Sequence, residues 1–98
     1  MNDFDSTLIR RGREAVTYPD MVEFAATLET RPLTKLLEEL PDLARLSEAK
    51  FSVASKVLRR RFRSESPIDQ KQLKAFGHEI AARVFDASVA DRIRSIFD

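Results

Sequence analysis

Features that mark several common classes of protein are missing from this 98-residue sequence. Cysteine is absent, which excludes a disulfide framework and a thiolate metal site. No apolar run approaches the roughly 18 residues that a membrane-spanning helix needs, and the acidic start at residues 2–5 is unlike a signal peptide. Only two glycines occur, and no glycine-rich phosphate-binding loop is present. These absences predict a cytoplasmic protein that makes no membrane contact.

The residue patterns of common catalytic and metal sites are missing as well. His78 is the only histidine, and no nucleophile or orienting acid can be identified as its partner, so we expect an exposed side chain. The acids Glu38, Glu39 and Asp42 flank Pro41, and a solvated turn explains them better than acid–base chemistry or metal binding. The sequence therefore predicts a protein that is not an enzyme, with no catalytic, cofactor-binding or metal-binding residues and no cofactor.

The composition is that of one globular domain spanning residues 1–98. Apolar residues make up 43% of the chain and charged residues 34%, a balance typical of folded proteins. A chain of this length can bury a core without disulfides or metals. Apolar residues recur at spacings of three and four, which predicts an all-α fold, a compact single-domain bundle of five or six short helices.

Prolines and small capping residues predict where these helices begin and end. The first helix is expected to start near Asp5 or Ser6 and to include residues 8–16. Pro41 should interrupt one short helix and open the next, because proline cannot donate to the previous turn. The other expected starts are near 17–20, 32, 47, 66 and 88. Gly77 lies on an apolar helix face, where its bare backbone permits close packing by a neighbour.

One segment concentrates positive charge. Lys56, Arg59, Arg60, Arg61 and Arg63 place five positive charges within eight residues, and no acid lies among them. At helical spacing, all of them except Arg61 fall on one side of the helix, which we call the basic face. The rest of the chain is mildly acidic, since residues 1–55 carry 7 Lys and Arg against 10 Asp and Glu, and residues 64–98 carry 5 against 6. Any function that depends on positive charge must therefore be local.

Three interpretations of the basic face remain open. It can contact the phosphates of DNA or RNA, it can dock on an acidic protein surface, or it can be a solvated face whose arginines pair with acids of the same fold. Arg61 lies at the edge of the apolar arc, so its stem is expected to cover core surface rather than to bind a partner.

Residues 42–58 have the spacing of a helix-turn-helix. Ala44 precedes the run from Ser55 to Leu58, and this spacing resembles that of the DNA-reading element of lac-repressor-type regulators. The turn position that usually holds glycine in those regulators is Glu48 in this chain. The resemblance implies that Ser52, Ser55, Lys56 and Arg59 face the major groove and that Arg60 and Arg63 touch phosphate. Two ordinary helices joined by a cap at Ser47 explain the same segment.

The sequence thus predicts a small non-catalytic, regulatory binding protein that contacts DNA or RNA through the helix of residues 47–63. The predicted contact residues are Ser52, Ser55, Lys56, Arg59, Arg60 and Arg63. The alternative is a protein–protein interaction module (an adaptor, an inhibitor or a regulatory subunit) that docks on an acidic or apolar partner surface. The split between an acidic body and a basic face also permits a homo-oligomer.

Two features would discriminate between these functions. A basic face continuous with Arg10, Arg11 and Arg13 favours nucleic acid, whereas an exposed apolar patch beside it favours a protein partner. Phe85 falls off the apolar stripe of its helix, and we expect it to be a core residue in a helix-end turn, with an exposed partner patch as the alternative.

Overall fold

The computed structural model describes residues 9–11, 14–16 and 18–98, with side chains from residue 19 onward. Five α-helices lie in this range: α1 (Tyr18–Leu28), α2 (Leu33–Leu46), α3 (Glu48–Arg63), α4 (Pro67–Ala82) and α5 (Ala87–Ser95). They confirm the predicted helical fold, and their number within the described residues is close to the five or six helices predicted. None of these helices has both the length and the apolar character needed to cross a bilayer.

The amino-terminal part of the fold differs from the prediction. Strands β1 (Ile9–Arg11) and β2 (Glu14–Val16) pair as an antiparallel hairpin, with Ile9 opposite Val16. The helix predicted across residues 8–16 is therefore wrong, while its start near Asp5 or Ser6 lies outside the described residues. Gly12 lies between the strands in the sequence, and glycine favours a two-residue hairpin connection while weakening a helix by about 1 kcal/mol.

Helix α2 continues through Pro41, so the predicted break at this residue is also wrong. A proline inside a helix costs about 3 kcal/mol, because it removes a hydrogen bond and crowds the preceding turn. Leu36, Leu37 and Leu40 are all fully buried on one face of α2, and each contributes about 1.5–3 kcal/mol. The helix continues because this burial outweighs the local cost of the proline.

Side-chain caps set the starts of the later helices. Ser47 alone separates α2 from α3, and its Oγ accepts a hydrogen bond from the Lys50 amide at 3.2 Å. Ser66 caps α4 in the same way, so both predicted caps are confirmed. Helix α5 begins one residue after Asp86, whose carboxylate accepts from two amides, rather than at the predicted Ser88.

Helix α3 lies at the centre of the bundle and contacts α1, α2, α4 and β1. Its predicted apolar face is confirmed, because Phe51, Ala54 and Leu58 are fully buried and Phe62 nearly so. The polar side of the same helix must therefore lie at the surface, between the neighbouring helices. The fold in this way presents the basic face on its most central element.

The close approach predicted at Gly77 is also confirmed. The ring of Phe97 lies directly against the glycine, and a β-carbon built there would come within 2.2 Å of that ring. Phe97 in turn packs edge-on against Phe62, with ring centroids 5.0 Å apart. The end of the chain is thereby packed onto α3 and α4.

Candidate functional site

All six predicted contact residues lie on α3. Lys56, Arg60 and Arg63 are exposed, whereas Ser52, Ser55 and Arg59 are half-buried. The arginines occupy the last two turns of the helix, where the carbonyl end of the helix dipole favours positive charge. The sequence thus identified one continuous surface, but the individual residues differ in what they contact.

Arg60 is neutralised within the fold. Its guanidinium donates a hydrogen bond to the carboxylate of Glu29, just beyond α1, and forms an ion pair with it. This hydrogen bond from Arg60, and then the charges of Arg60 and Arg61, hold the pKa of Glu29 below its ordinary value, and the same bond raises the pKa of Arg60. At neutral pH, Arg60 is therefore occupied by an internal acid.

Arg61 has a structural role. Its Nη1 donates to the carbonyl oxygens of Leu28 and Arg31, each at 2.6 Å. These two carbonyls lie at the end of α1 and in the link to α2, where no helical hydrogen bond satisfies them. Arg61 therefore fastens this link to α3, and the expectation that it is the cation least suited to bind a partner stays a prediction.

The remaining cations of the segment differ from Arg60 in their partners. Among the described residues, Lys56, Arg59 and Arg63 form no ion pair with a carboxylate. Strand β1, which carries Arg10 and Arg11, has its backbone beside α3. Arg13 and the side chains of β1 lie outside the described residues. The positive charge of α3 is thus only partly compensated by the described residues.

Four of the six predicted contact residues line one recess between α3 and α5. This recess has a volume of about 240 Å³. We call it the α3–α5 recess, and its polar lining residues are Ser52, Ser55, Lys56, Arg59, Arg92 and Ser95. Arg60 and Arg63 lie outside it. The sequence could not identify Arg92 and Ser95, because only tertiary packing brings α5 against α3.

Two arginines of the recess are fixed in different ways. Arg92 donates to both carboxylate oxygens of Glu48, at 3.0 and 2.7 Å, and lies 4.5 Å from the ring centroid of Phe51. Arg59 donates through Nη2 to the Ser95 carbonyl at 2.9 Å, near the end of α5. The charge of Arg92 is therefore compensated by Glu48. Arg59 is held in position by a neutral carbonyl group, which does not compensate its charge.

Helices α2 and α3 meet at a joint that differs from the turn of a helix-turn-helix. Such a turn has three or four residues, whereas here Ser47 alone separates the helices, with φ −157° and ψ 112°. Glu48 is the first residue of α3 and takes no part in a turn. The joint has the form of the alternative interpretation, two helices joined by a cap at Ser47. The contact of α3 with DNA bases stays a prediction.

Several predictions about other candidate residues need correction. Glu39 and Asp42 lie within α2 rather than in a turn, and pair with Arg31 at 2.6 Å and Arg45 at 2.5 Å. His78 is half-buried instead of exposed, and its Nε2 is buried without a hydrogen-bond partner in the described part of the chain. The first error arises because a helix was expected to end at Pro41, whereas α2 continues through it. The second arises because the side of α4 that carries His78 was expected to face solvent, whereas tertiary contacts cover part of it.

Phe85 is fully exposed, so its expected place in the core is wrong. It lies between α4 and α5, at the edge of a mainly apolar groove of about 600 Å³ formed with α2. Pro41, Ala44 and Ile80 are among the residues that line this groove. The sequence signal was present, since Phe85 falls off the apolar stripe of the helix that the sequence predicted there.

Comparison with known proteins identifies no relative. No protein-family model matches this chain, and neither a curated protein nor a solved structure matches it.

Proposed function

We propose that this protein is a small non-catalytic module that binds DNA or RNA through phosphate contacts of α3. The observation that carries the proposal is the positive charge of Lys56, Arg59 and Arg63, which no carboxylate among the described residues compensates. Phosphate contacts of this kind supply affinity and position without reading base sequence. In the unbound protein Arg60 does not add to this positive charge, since it is already paired with Glu29.

A surface with so few cations binds weakly. We expect dissociation constants of about 10⁻⁴ to 10⁻⁶ M at physiological salt, in the range of non-specific binding.

The proposal is tested by replacing Lys56 and Arg63 together with glutamine. Both side chains are exposed and have no ion-pair partner among the described residues, so we expect stability to change by less than about 0.5 kcal/mol. Fluorescence anisotropy with labelled double-stranded DNA and single-stranded RNA, at about 50 and 200 mM salt, gives the affinity. For DNA, three phosphate contacts predict a loss of about 40-fold between these salt concentrations for the wild type. In the double variant, the slope of the logarithm of DNA affinity against the logarithm of salt concentration should be smaller in magnitude by about 1.8.

The matched control changes the same net charge elsewhere. Lys71 and Lys74 are exposed on α4, and their double replacement by glutamine should leave the affinity and the salt slope as in the wild type.

A positive control is Glu29→Gln, which releases Arg60 and should steepen the slope for DNA by about 0.9. Glu29 is charged at neutral pH like any glutamate, and because Arg60 lowers its pKa, the wild-type pair breaks only as the pH falls through that lowered pKa. Equal salt slopes in all variants would reject α3 as the interface.

The groove beside Phe85 favours a second candidate function, a protein-interaction module whose partner is a second copy of this chain. An exposed phenyl ring and an apolar groove occur side by side, so two copies related by a two-fold axis can exchange their rings. The groove is lined by two acids, Glu38 and Asp86, and two bases, Arg45 and Arg83. Such a rim is complementary in charge to itself, whereas a strongly charged partner would gain little from it.

Sedimentation velocity over a range of protein concentrations tests this second candidate. We expect a concentration-dependent dimer in the wild type that Phe85→Ser abolishes, because the exchanged ring is removed. Ile68→Ser is the matched control, since Ile68 is also strongly exposed but lies at the start of α4, away from the groove. A wild-type protein that stays monomeric at all concentrations would rule out the self-association.

A further inference from the structure

Two residues that line the α3–α5 recess each carry a polar atom that is buried without a hydrogen-bond partner among the described residues, namely the Ser55 hydroxyl and Arg59 Nε. Buried polar groups are nearly always hydrogen-bonded, so each exception needs an explanation. Ser55 and Arg59 are four residues apart on α3, which places their side chains on the same helix face. The two unsatisfied groups therefore belong to one location.

The recess offers donors and positive charge. The guanidinium of Arg59 is oriented by the bond from its Nη2 to the Ser95 carbonyl, while its Nε–H remains free. Lys56 lies in the next position after Ser55 and has no carboxylate partner among the described residues. No acidic residue is among the described residues that line the recess. These groups together suit an anion with several acceptor oxygens.

The size and shape of the recess agree with a small ligand group. Its volume of about 240 Å³ is several times the roughly 30 Å³ share of one water molecule. One wall is held rigidly, because Arg92 is fixed by Glu48 and by the face of Phe51. A site with a fixed wall and an oriented guanidinium is organised before any ligand arrives, which lowers the entropic loss on binding.

We infer that the α3–α5 recess holds a single phosphate group, whose oxygens accept hydrogen bonds from Ser55 Oγ and Arg59 Nε beside the charge of Lys56. Where the phosphate is part of a nucleic-acid backbone, the inference rests on the proposed function and names one of its contacts. A terminal or free phosphate offers the same oxygens and the same charge. Ser55 thereby acts on phosphate rather than on a base edge, in keeping with its half-buried position.

The test follows the backbone amides of α3 and the Arg59 Nε–Hε signal by NMR during titration with inorganic phosphate at constant ionic strength. We expect saturable shifts centred on Ser52, Ser55 and Arg59 in the wild type. Ser55→Ala should weaken this binding about tenfold, because one donor to a charged ligand is lost. Its unliganded stability should not fall, since the deleted hydroxyl has no partner to lose. Arg59→Lys should weaken binding similarly, because lysine keeps the charge but lacks the planar fork.

The matched control is Ser88→Ala on α5, an exposed serine outside the recess, which should bind phosphate as the wild type does. The absence of phosphate-dependent shifts, or shifts unchanged by Ser55→Ala and Arg59→Lys, would overturn the recess while leaving salt-dependent nucleic-acid binding by Lys56 and Arg63 intact. Phosphate binding in a protein that binds neither DNA nor RNA would support the recess and reject the proposed function. A preference for 5′-phosphorylated over unphosphorylated oligonucleotides would support a terminal phosphate, and equal affinity would support a backbone phosphate.

Discussion

Replacing Phe51 with alanine will lower the free energy of unfolding by about 3–5 kcal/mol. The ring of Phe51 is fully buried on α3, at the centre of the bundle, so its deletion leaves a cavity that neighbours on several helices cannot fill together. For a domain of this size, such a loss lowers the midpoint of thermal unfolding by at least about 12 °C. Denaturant titration followed by circular dichroism measures the change.

The chain contains its own matched control for this substitution. Phe85→Ala removes the same atoms from a side chain that is fully exposed, and it should change the free energy of unfolding by less than about 0.5 kcal/mol. Phe51→Leu keeps most of the buried volume and should cost less than the alanine variant. Equal effects of Phe51→Ala and Phe85→Ala would contradict the central position of α3 in the core.

Replacing Gly77 with leucine will have the second large effect, a loss of about 2–3 kcal/mol of stability. A β-carbon at this position would lie 2.2 Å from Cε2 and 2.6 Å from Cζ of Phe97, far inside normal contact distance. Phe97 must then move, and swinging its nearly buried ring into solvent forfeits about 1.5–3 kcal/mol of burial and its packing on Phe62. Thermal and denaturant unfolding of the variant measure the loss.

A double-mutant cycle separates the clash from the helix preference of residue 77. Gly77→Ala gains about 1 kcal/mol of helix propensity but still meets the ring of Phe97, so its net effect should be small and unfavourable. Combining it with Phe97→Leu, which shortens the obstructing side chain, should give a double variant more stable than the sum of the single effects by about 1 kcal/mol. Strict additivity would show that Phe97 does not restrict residue 77.

Helix α3 shows what regular spacing can predict. Phe51, Ala54, Leu58 and Phe62 recur at three and four residues, and one buried face of a helix enforces that pattern wherever the helix lies in the bundle. The cap at Ser47 was also predictable, since a helix start depends on a few neighbouring residues. Both features depend on contacts within one short segment, so the segment itself contains the information.

The hairpin and the course of α2 show where such reasoning fails. Residues 9–16 have no strand-like alternation strong enough to outweigh a helical pattern, and strand pairing depends on a partner strand as much as on local preference. Pro41 marks a helix end by local rules, yet the buried leucines of α2 hold the helix together across it. In the hairpin the pairing of two neighbouring strands, and in α2 the burial of leucines against other helices, outweighed the preference of the single residues.

The sequence by itself determined that this protein is helical, that α3 buries one face, and that positive charge is concentrated at residues 56–63. Tertiary structure alone decided how those charges are used. Glu29 neutralises Arg60, two backbone carbonyls occupy Arg61, and α5 brings Arg92 and Ser95 against α3 to form the recess. The physical reason is how far apart along the chain the interacting residues lie. A helix and its faces follow from neighbours three and four residues apart, whereas these pairings join residues about 30 to 44 positions apart in the chain, which no local pattern records.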